Sequence, residues 1–242
     1  MNNWNNKNRV LVIPDVHHKV EIADSIIENQ PHDVRVFLGD FFDDFHDSSY
    51  EARNTARWVK NQLSQPNVIA LFGNHDLAYA PFNSSYAKSC SGYTRDKDES
   101  IKDILMPEDW AKFKFWTIQD GWLLSHAGVS KYFYTGKKNT IKTYLEKEEV
   151  VARKFLSENK VHWFYVIGRR RFGLSPCGGL TWCDIHEFKP IRYVKQIFGH
   201  TPLHVPRFIN DTNVCLDTHL HYYGVIENGE LTIHPLDFKK VF

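Results

Sequence analysis

Five apolar runs in this chain stop at a glycine, proline or serine and hand over to an aspartate, asparagine or histidine. V-L-V-I-P leads to Asp15 and His17, V-F-L-G to Asp40 and Asp43, V-I-A-L-F-G to Asn74, His75 and Asp76, W-L-L-S to His126, and Q-I-F-G to His200. Short β-branched runs of this kind read as buried strands. In α/β sheets the carboxyl ends of the strands form the ligand crevice. Asp, His and Asn also supply the oxygen and nitrogen ligands that Mn²⁺, Fe or Zn²⁺ accept. Each piece alone is commonplace, since Gly-Asp is usually a turn and a lone strand-end His is usually structural. Five in order, each closing a strand, point to one metal-type site. Gly39, Gly73 and Gly199 each stand directly before the polar residue, where glycine is expected to permit a sharp exit from the strand.

The spacing between these runs predicts strands over residues 10–13, 34–38 and 68–72, with amphipathic helices over 20–29 and 48–63, the second capped by Ser48 or Ser49. That βαβαβ order implies parallel strands joined by right-handed crossovers. Residues 80–98 are polar and rich in Ser and Tyr, and are expected to be a loop or insertion. Residues 112–118 and 121–125 predict a hairpin turning at Gln119-Asp120-Gly121. A charged helix is expected over 140–160, a Gly/Arg loop over 169–179, a strand over 194–198, and short strands over 208–236 with a turn at Asn228-Gly229. With no internal repeat or composition break, residues 1–242 are expected to form a single domain after a polar tail over 1–8.

Composition removes several classes. Lys plus Arg number 30 against 29 Asp plus Glu, a formal charge of +1, which argues against nucleic acid as a partner. No apolar run approaches the ~18 residues of a membrane span. Cys90, Cys177, Cys183 and Cys215 form no Cys-x-x-Cys pair. They are expected to be reduced thiols of a cytoplasmic protein. The first residues lack an apolar signal core, so no secretion is expected.

Asp15-Val16-His17, Gly39-Asp40-Phe41-Phe42-Asp43, Gly73-Asn74-His75-Asp76, Ser125-His126-Ala127-Gly128 and Gly199-His200-Thr201-Pro202 together resemble the signature of calcineurin-like metallophosphoesterases. The resemblance runs from residue 10 to about 220. It leans toward the branch of phosphoprotein phosphatases and diadenosine tetraphosphate hydrolases, because Pro202 stands where phosphodiesterase branches carry a second metal-binding His. It implies an α/β sandwich of two mixed β-sheets flanked by helices. It implies two divalent ions, Mn²⁺ first, with Fe or Zn²⁺ as alternatives. One would be held by Asp15, His17 and Asp40, the other by Asp40, Asn74, His126 and His200. A hydroxide between the two ions would attack phosphorus. His75 would protonate the leaving group and Asp43 would orient its ring. Asn74 and an arginine, Arg170 or Arg171, would bind the phosphate.

The departures bear on substrate. Protein phosphatases of this branch read Gly-Asp-x-x-Asp-Arg-Gly, whereas Asp44-Phe45 follows Asp43 here. His18 and His219 each replace a usual glycine, and His18 is expected at the surface. Asp217 is read as structural or as a support to the ligands. Trp182 is a candidate for stacking on substrate, with core packing favoured. His46, His162, His186, His204, His221 and His234 are read as surface or satisfied histidines. The expected activity is phosphomonoester hydrolysis of the serine/threonine protein phosphatase type on a phosphoprotein. Hydrolysis of a dinucleoside polyphosphate or other nucleotide is the alternative. A non-catalytic, metal-stabilised binding module is the rival from another class.

Overall fold

A computed structural model describes residues 8–44, 46–82, 84–85 and 90–237. Most of the polar tail and Phe45 lie outside the described residues. Strands β1 (Val10–Ile13), β2 (Val34–Phe37) and β3 (Val68–Ala70) alternate with helices α1 (Val20–Asn29) and α2 (Ser49–Ser64). β1 pairs in parallel with β2, setting Val10 opposite Val34, and β2 pairs in parallel with β3, setting Phe37 opposite Ala70. The expected βαβαβ unit is present. Ser48 caps α2 through a reciprocal box with Glu51, which satisfies two backbone donors at the helix start.

The chain then forms helices α3 (Asn74–Tyr79), α4 (Arg95–Lys102) and α5 (Pro107–Trp110). The loop expected over 80–98 is therefore corrected at its end. Thr94 accepts from the Lys97 N–H and starts α4, a cap hidden in the sequence by the polar run around it. The strand expected from 112 begins only at Trp116. Before it, Lys114 donates to the Ala70 carbonyl and accepts from the Phe72 N–H at 2.9 and 2.8 Å, tying the exit of β3 to the start of the second sheet.

The second sheet contains β4 (Trp116–Gln119), β5 (Trp122–Ser125), β6 (Lys195–Phe198), β7 (Arg207–Asn210) and β8 (Asn213–Cys215), in the order β4-β5-β6-β8-β7. β5, β6 and β8 run parallel. Asp120 and Gly121 have φ of +42° and +83°, the left-handed pair that a two-residue hairpin loop requires. Helix α6 (Ile141–Ser157) lies between β5 and β6 in the chain. The final hairpin, β9 (Tyr222–Glu227) and β10 (Glu230–Pro235), turns at Asn228-Gly229 and returns to the first sheet, which has the order β10-β9-β1-β2-β3.

Alternate strand residues point to opposite faces, and in the inner strands β1, β5 and β8 both faces are buried. Val10, Val12, Val34 and Val36 pack with Trp122, Leu124, Ile197 and Val214 between the two sheets. Leu11, Ile13 and Phe37 share a cluster with Ala23, Ile26, Ala52, Ala56 and Val59 of the helices. Burial on both faces explains why the strands read as unbroken apolar runs. No described helix is long and apolar enough to cross a membrane. The stacked sheets bring the carboxyl ends of their parallel strands to one place, where the strand-end polar residues meet.

Candidate active site

Backbone strain delivers the side chains. Asp40 (φ +50°) leaves β2, His200 (φ +69°) leaves β6 and His17 (φ +42°) follows β1, all in left-handed conformations that cost non-glycine residues energy. Of the three expected exit glycines only Gly39 has positive φ, at +109°. Gly73 and Gly199 act differently, and the expectation is corrected. A Cβ on Gly73 would overlap Asp40 Oδ1, and one on Gly199 would overlap Asp15 Oδ2. These glycines make room for carboxylates instead of turning the chain.

Asp40 stands at the middle. Its Oδ1 accepts from the His75 N–H at 2.9 Å. Its Oδ2 lies 3.3 Å from His126 Nε2 and 3.8 Å from His17 Nε2. His17 Nδ1 donates to the Asp43 carbonyl at 2.6 Å, and His126 Nδ1 donates to the Leu38 carbonyl at 3.1 Å. Those backbone bonds occupy each Nδ1–H and leave each Nε2 facing inward, where a bound cation would take its lone pair. His126 Nε2 also lies 3.1 Å from Asn74 Oδ1 and 3.1 Å from His200 Nδ1. Asp15 Oδ1 accepts from the His200 N–H at 2.9 Å, while its buried Oδ2 has no protein partner.

This donor set fits divalent cations. The ligand atoms of Asp40, His126 and His200 lie within 4.8 Å of one another, as do those of Asp15, His17 and Asp40. Lone pairs of His126, His200, Asn74 and Asp40 converge on one another. One proton can join only one pair of them, whereas a cation serves all. Asp15, Asp40 and Asp217 are also 1–2% exposed, and buried carboxylates demand positive charge nearby. Burial and Asp217 push the Asp15 carboxyl well above its ordinary range. Burial opposes charge on His126, yet the Asp40 carboxylate beside it raises the imidazole to about 9. Burial and the neighbouring His126 drive His200 well below its ordinary value.

A second constellation adjoins the first. His75 Nδ1 lies 2.8 Å from Asp43 Oδ2, and the His75 and His17 rings meet edge to face at 5.3 Å. Asp43 Oδ1 is held by Tyr79 Oη at 2.5 Å and by the Lys97 ammonium at 2.8 Å. Lys97 also lies 3.0 Å from the Asp47 carboxylate, whose Oδ2 meets His18 Nε2 at 2.9 Å. His18 completes the chain through Nδ1 and Thr55 Oγ1 at 2.8 Å. The surface expectation for His18 is thus corrected: it ties the β1 exit to α2. Tyr79, Lys97 and Cys90 were not legible as site residues. They fall in a short helix and the polar stretch 80–98, where no periodicity or motif marks them.

Asp76 is another residue whose part the sequence did not reveal. Its carboxylate accepts the N–H groups of Asp40, Phe41 and Gly73 at 2.8, 2.8 and 2.9 Å. It clasps the β2 exit to the start of α3, and so holds Asp40 against Asn74.

The arginines separate. Arg171 is half-buried, with its Nη2 donating to the His200 carbonyl at 3.3 Å and its Nε 3.2 Å from Asp184 Oδ2. Arg170 is exposed and donates its backbone N–H to Glu187. Asp44 is exposed beside Asp43. Trp182 is half-buried, edge-on to the His200 ring at 5.7 Å. His162 is buried and meets Glu148 at 3.2 Å, and His186 meets Asp184 at 2.8 Å, satisfied as expected. A groove of about 930 Å³ opens elsewhere, lined by Trp116, Lys142 and Arg153 among others, and includes none of the strand-end ligands.

The model of the family described as calcineurin-like phosphoesterase matches residues 8–204. The chain belongs to that family, whose members hydrolyse phosphoesters with divalent metal ions. The two five-stranded mixed sheets with flanking helices are its fold. A protein serine/threonine phosphatase from Saccharomyces cerevisiae with similarity to human phosphatase PP5 is 13% identical, with a TM-score of 0.50. That match covers 96% of this chain and 81% of the other. A metallophosphoesterase from Sphaerobacter thermophilus is 16% identical with a TM-score of 0.47, covering 96% of this chain and 89% of the other. No curated protein matches the chain by sequence.

Proposed function

We propose that residues 8–237 form one domain that hydrolyses phosphomonoesters in the manner of a serine/threonine protein phosphatase, with two divalent ions, Mn²⁺ for preference. The observation that carries this reading is the position of Asp40, whose carboxylate belongs to both the Asp15–His17–Asp40 and the Asp40–His126–His200 ligand groups. Asp15, His17 and Asp40 would hold one ion, and Asp40, Asn74, His126 and His200 the other. Two such ions supply phosphate binding, charge neutralisation and a water acidic enough to attack near neutral pH.

The chain's own residues do the rest. Asp43 fixes the His75 ring through Nδ1, leaving Nε2 as the atom that gives a proton to the departing oxygen. Lys97 and Tyr79 hold Asp43 from the far side, so the carboxylate stays aimed at His75. Arg171, drawn beside His200, supplies a planar donor fork for phosphoryl oxygens. Asn74 brings no charge to a site that must admit an anion.

Asp44 keeps a second reading in view. An acid at the rim, where relatives place a phosphate-binding arginine, suits a substrate carrying less charge at that edge, such as a dinucleoside polyphosphate. The deciding experiment strips the protein with chelator and measures p-nitrophenyl phosphate hydrolysis with and without Mn²⁺. Turnover that requires Mn²⁺ supports the monoesterase. No turnover, with Mn²⁺ bound, overturns it in favour of a nucleotide hydrolase or a metal-stabilised binding module. Side-by-side rates on a phosphopeptide and diadenosine tetraphosphate then separate the two hydrolases.

A further inference from the structure

Cys90 has no part in the mechanism above, yet its thiol touches that mechanism's proton donor. Its Sγ lies 3.0 Å from His75 Nδ1, and the same nitrogen lies 2.8 Å from Asp43 Oδ2. Asp43 and Cys90 are buried, His75 is partly so, and their ligand atoms lie within 4.8 Å of one another. We propose that Asp43, His75 and Cys90 form a separate inhibitory site for a thiophilic divalent ion of the zinc class.

The chemistry of the three donors selects the ion. A thiolate, an imidazole and a carboxylate form a zinc-type set that leaves a fourth position for water. Mn²⁺ favours oxygen donors and competes poorly for sulfur. The neighbouring strand-end site offers carboxylates, imidazoles and an amide but no sulfur, so the two sites differ in preference. With Zn–S near ~2.3 Å and Zn–N near ~2.0 Å, tetrahedral ligand atoms stand roughly 3.3–3.5 Å apart. The two contacts that His75 Nδ1 makes, at 2.8 and 3.0 Å, need to lengthen by only about half an ångström to reach that spacing.

The surroundings hold them in place. Tyr79 and Lys97 occupy Asp43 Oδ1, so Oδ2 is the lobe that faces His75 and Cys90. A Cβ on Gly92 would lie 3.0 Å from Asp43 Cβ, so the chain just beyond Cys90 runs close against that carboxylate. Entry of the ion releases the Cys90 thiol proton and the His75 Nδ1 proton to solvent.

The consequence rests on His75 being the proton donor, as proposed above. An ion on Nδ1 replaces the Asp43 hydrogen bond. The ring could then lose its Nε2 proton only by becoming an imidazolate, which makes it a very weak acid near neutral pH.

The test uses the full chain saturated with Mn²⁺, to which one equivalent of Zn²⁺ or Cd²⁺ is added. X-ray absorption at the zinc edge should show one sulfur near ~2.3 Å, and Cd²⁺ should produce a thiolate-to-metal ultraviolet band. Cys90→Ser should abolish that band. It should also raise the Zn²⁺ needed for half-inhibition, relative to its own zinc-free rate, by ~10-fold or more. Cys177→Ser should change neither. No sulfur at the zinc, or a band that survives in Cys90→Ser, overturns the site. Two sulfurs would place the ion at Cys177 and Cys183, 3.7 Å apart, and overturn it equally. A Cys90-dependent band without loss of turnover overturns the inhibitory role, and because the ion is then bound at Nδ1 it also removes His75 from its role as acid. The zinc-edge measurement needs no variant, so a shell with no sulfur or with two overturns the site even where Cys90→Ser folds poorly.

Discussion

The Lys97 ammonium lies 2.8 Å from Asp43 Oδ1 with its side chain 5% exposed, and it also meets Asp47. One buried cation therefore serves two buried carboxylates. Removing one member of such a group leaves uncompensated charge and typically costs about 3–5 kcal/mol. We expect Lys97→Met to lose stability on that scale in urea unfolding. A loss below about 1 kcal/mol would show that water takes over the role of the ammonium.

His75 is bonded to Asp43 through Nδ1, and its Nε2 is the proposed donor. His75→Asn should lower kcat on p-nitrophenyl phosphate by about 10²–10⁴-fold, with the Mn²⁺ content of the protein unchanged. Equal loss of metal and turnover would remove the proton-donor role. The deficit should be larger on phenyl phosphate, whose more basic leaving group has greater need of a proton.

Arg171 and Arg170 are adjacent in sequence but differ in place. Arg171 is drawn in by Asp184 and the His200 carbonyl, while Arg170 is exposed. A hydrogen bond from a charged group contributes about 1.5–3 kcal/mol, roughly 10–100-fold in binding. Arg171→Ala should raise KM by that factor, and Arg170→Ala should leave it within about twofold. Equal effects of the two variants in steady-state kinetics would reject the distinction.

Gly199 has ordinary φ, yet a Cβ there would overlap Asp15 Oδ2. Gly199→Ala should push Asp15 aside and weaken metal binding, read as a lower Mn²⁺ stoichiometry after dialysis. Gly121, at φ +83° with open space around its Cβ position, provides the contrast. There alanine should cost stability through backbone strain without changing metal content.

Metal should stabilise the fold as well as serve the reaction. Asp15, Asp40, His126 and His200 are buried around one another, so cation binding relieves repulsion present only in the folded chain. At 100 times its Kd, Mn²⁺ should add about 2.7 kcal/mol. Thermal unfolding should move upward with Mn²⁺ and return after chelation. A midpoint indifferent to Mn²⁺ would mean that the buried charges are neutralised by protons alone.

Much of this could be read in one dimension. Asp15, His17, Asp40, Asn74, His126 and His200 were legible because each follows an apolar run, and a parallel strand must deliver its next residues to the sheet edge. The β4–β5 turn was legible because Asp-Gly suits the φ values a tight hairpin imposes. Lys97, Tyr79 and Cys90 were not. Lys97 reaches Asp43 from α4, whose position depends on packing against α2 and α3, while Tyr79 closes α3 and Cys90 lies in the polar stretch beyond it; no local period encodes these meetings.

The sequence by itself determined the strands, their order and the donor atoms that close them, because burial and side-chain alternation act along the chain. Only the tertiary structure decided that Arg171 and not Arg170 turns inward, that Gly73 and Gly199 make space instead of turns, and that Asp76 clasps three backbone amides. It alone set a buried lysine and a thiol against the Asp43–His75 pair. These outcomes depend on distances between residues far apart in the chain, fixed when the two sheets stack and exclude water from between them.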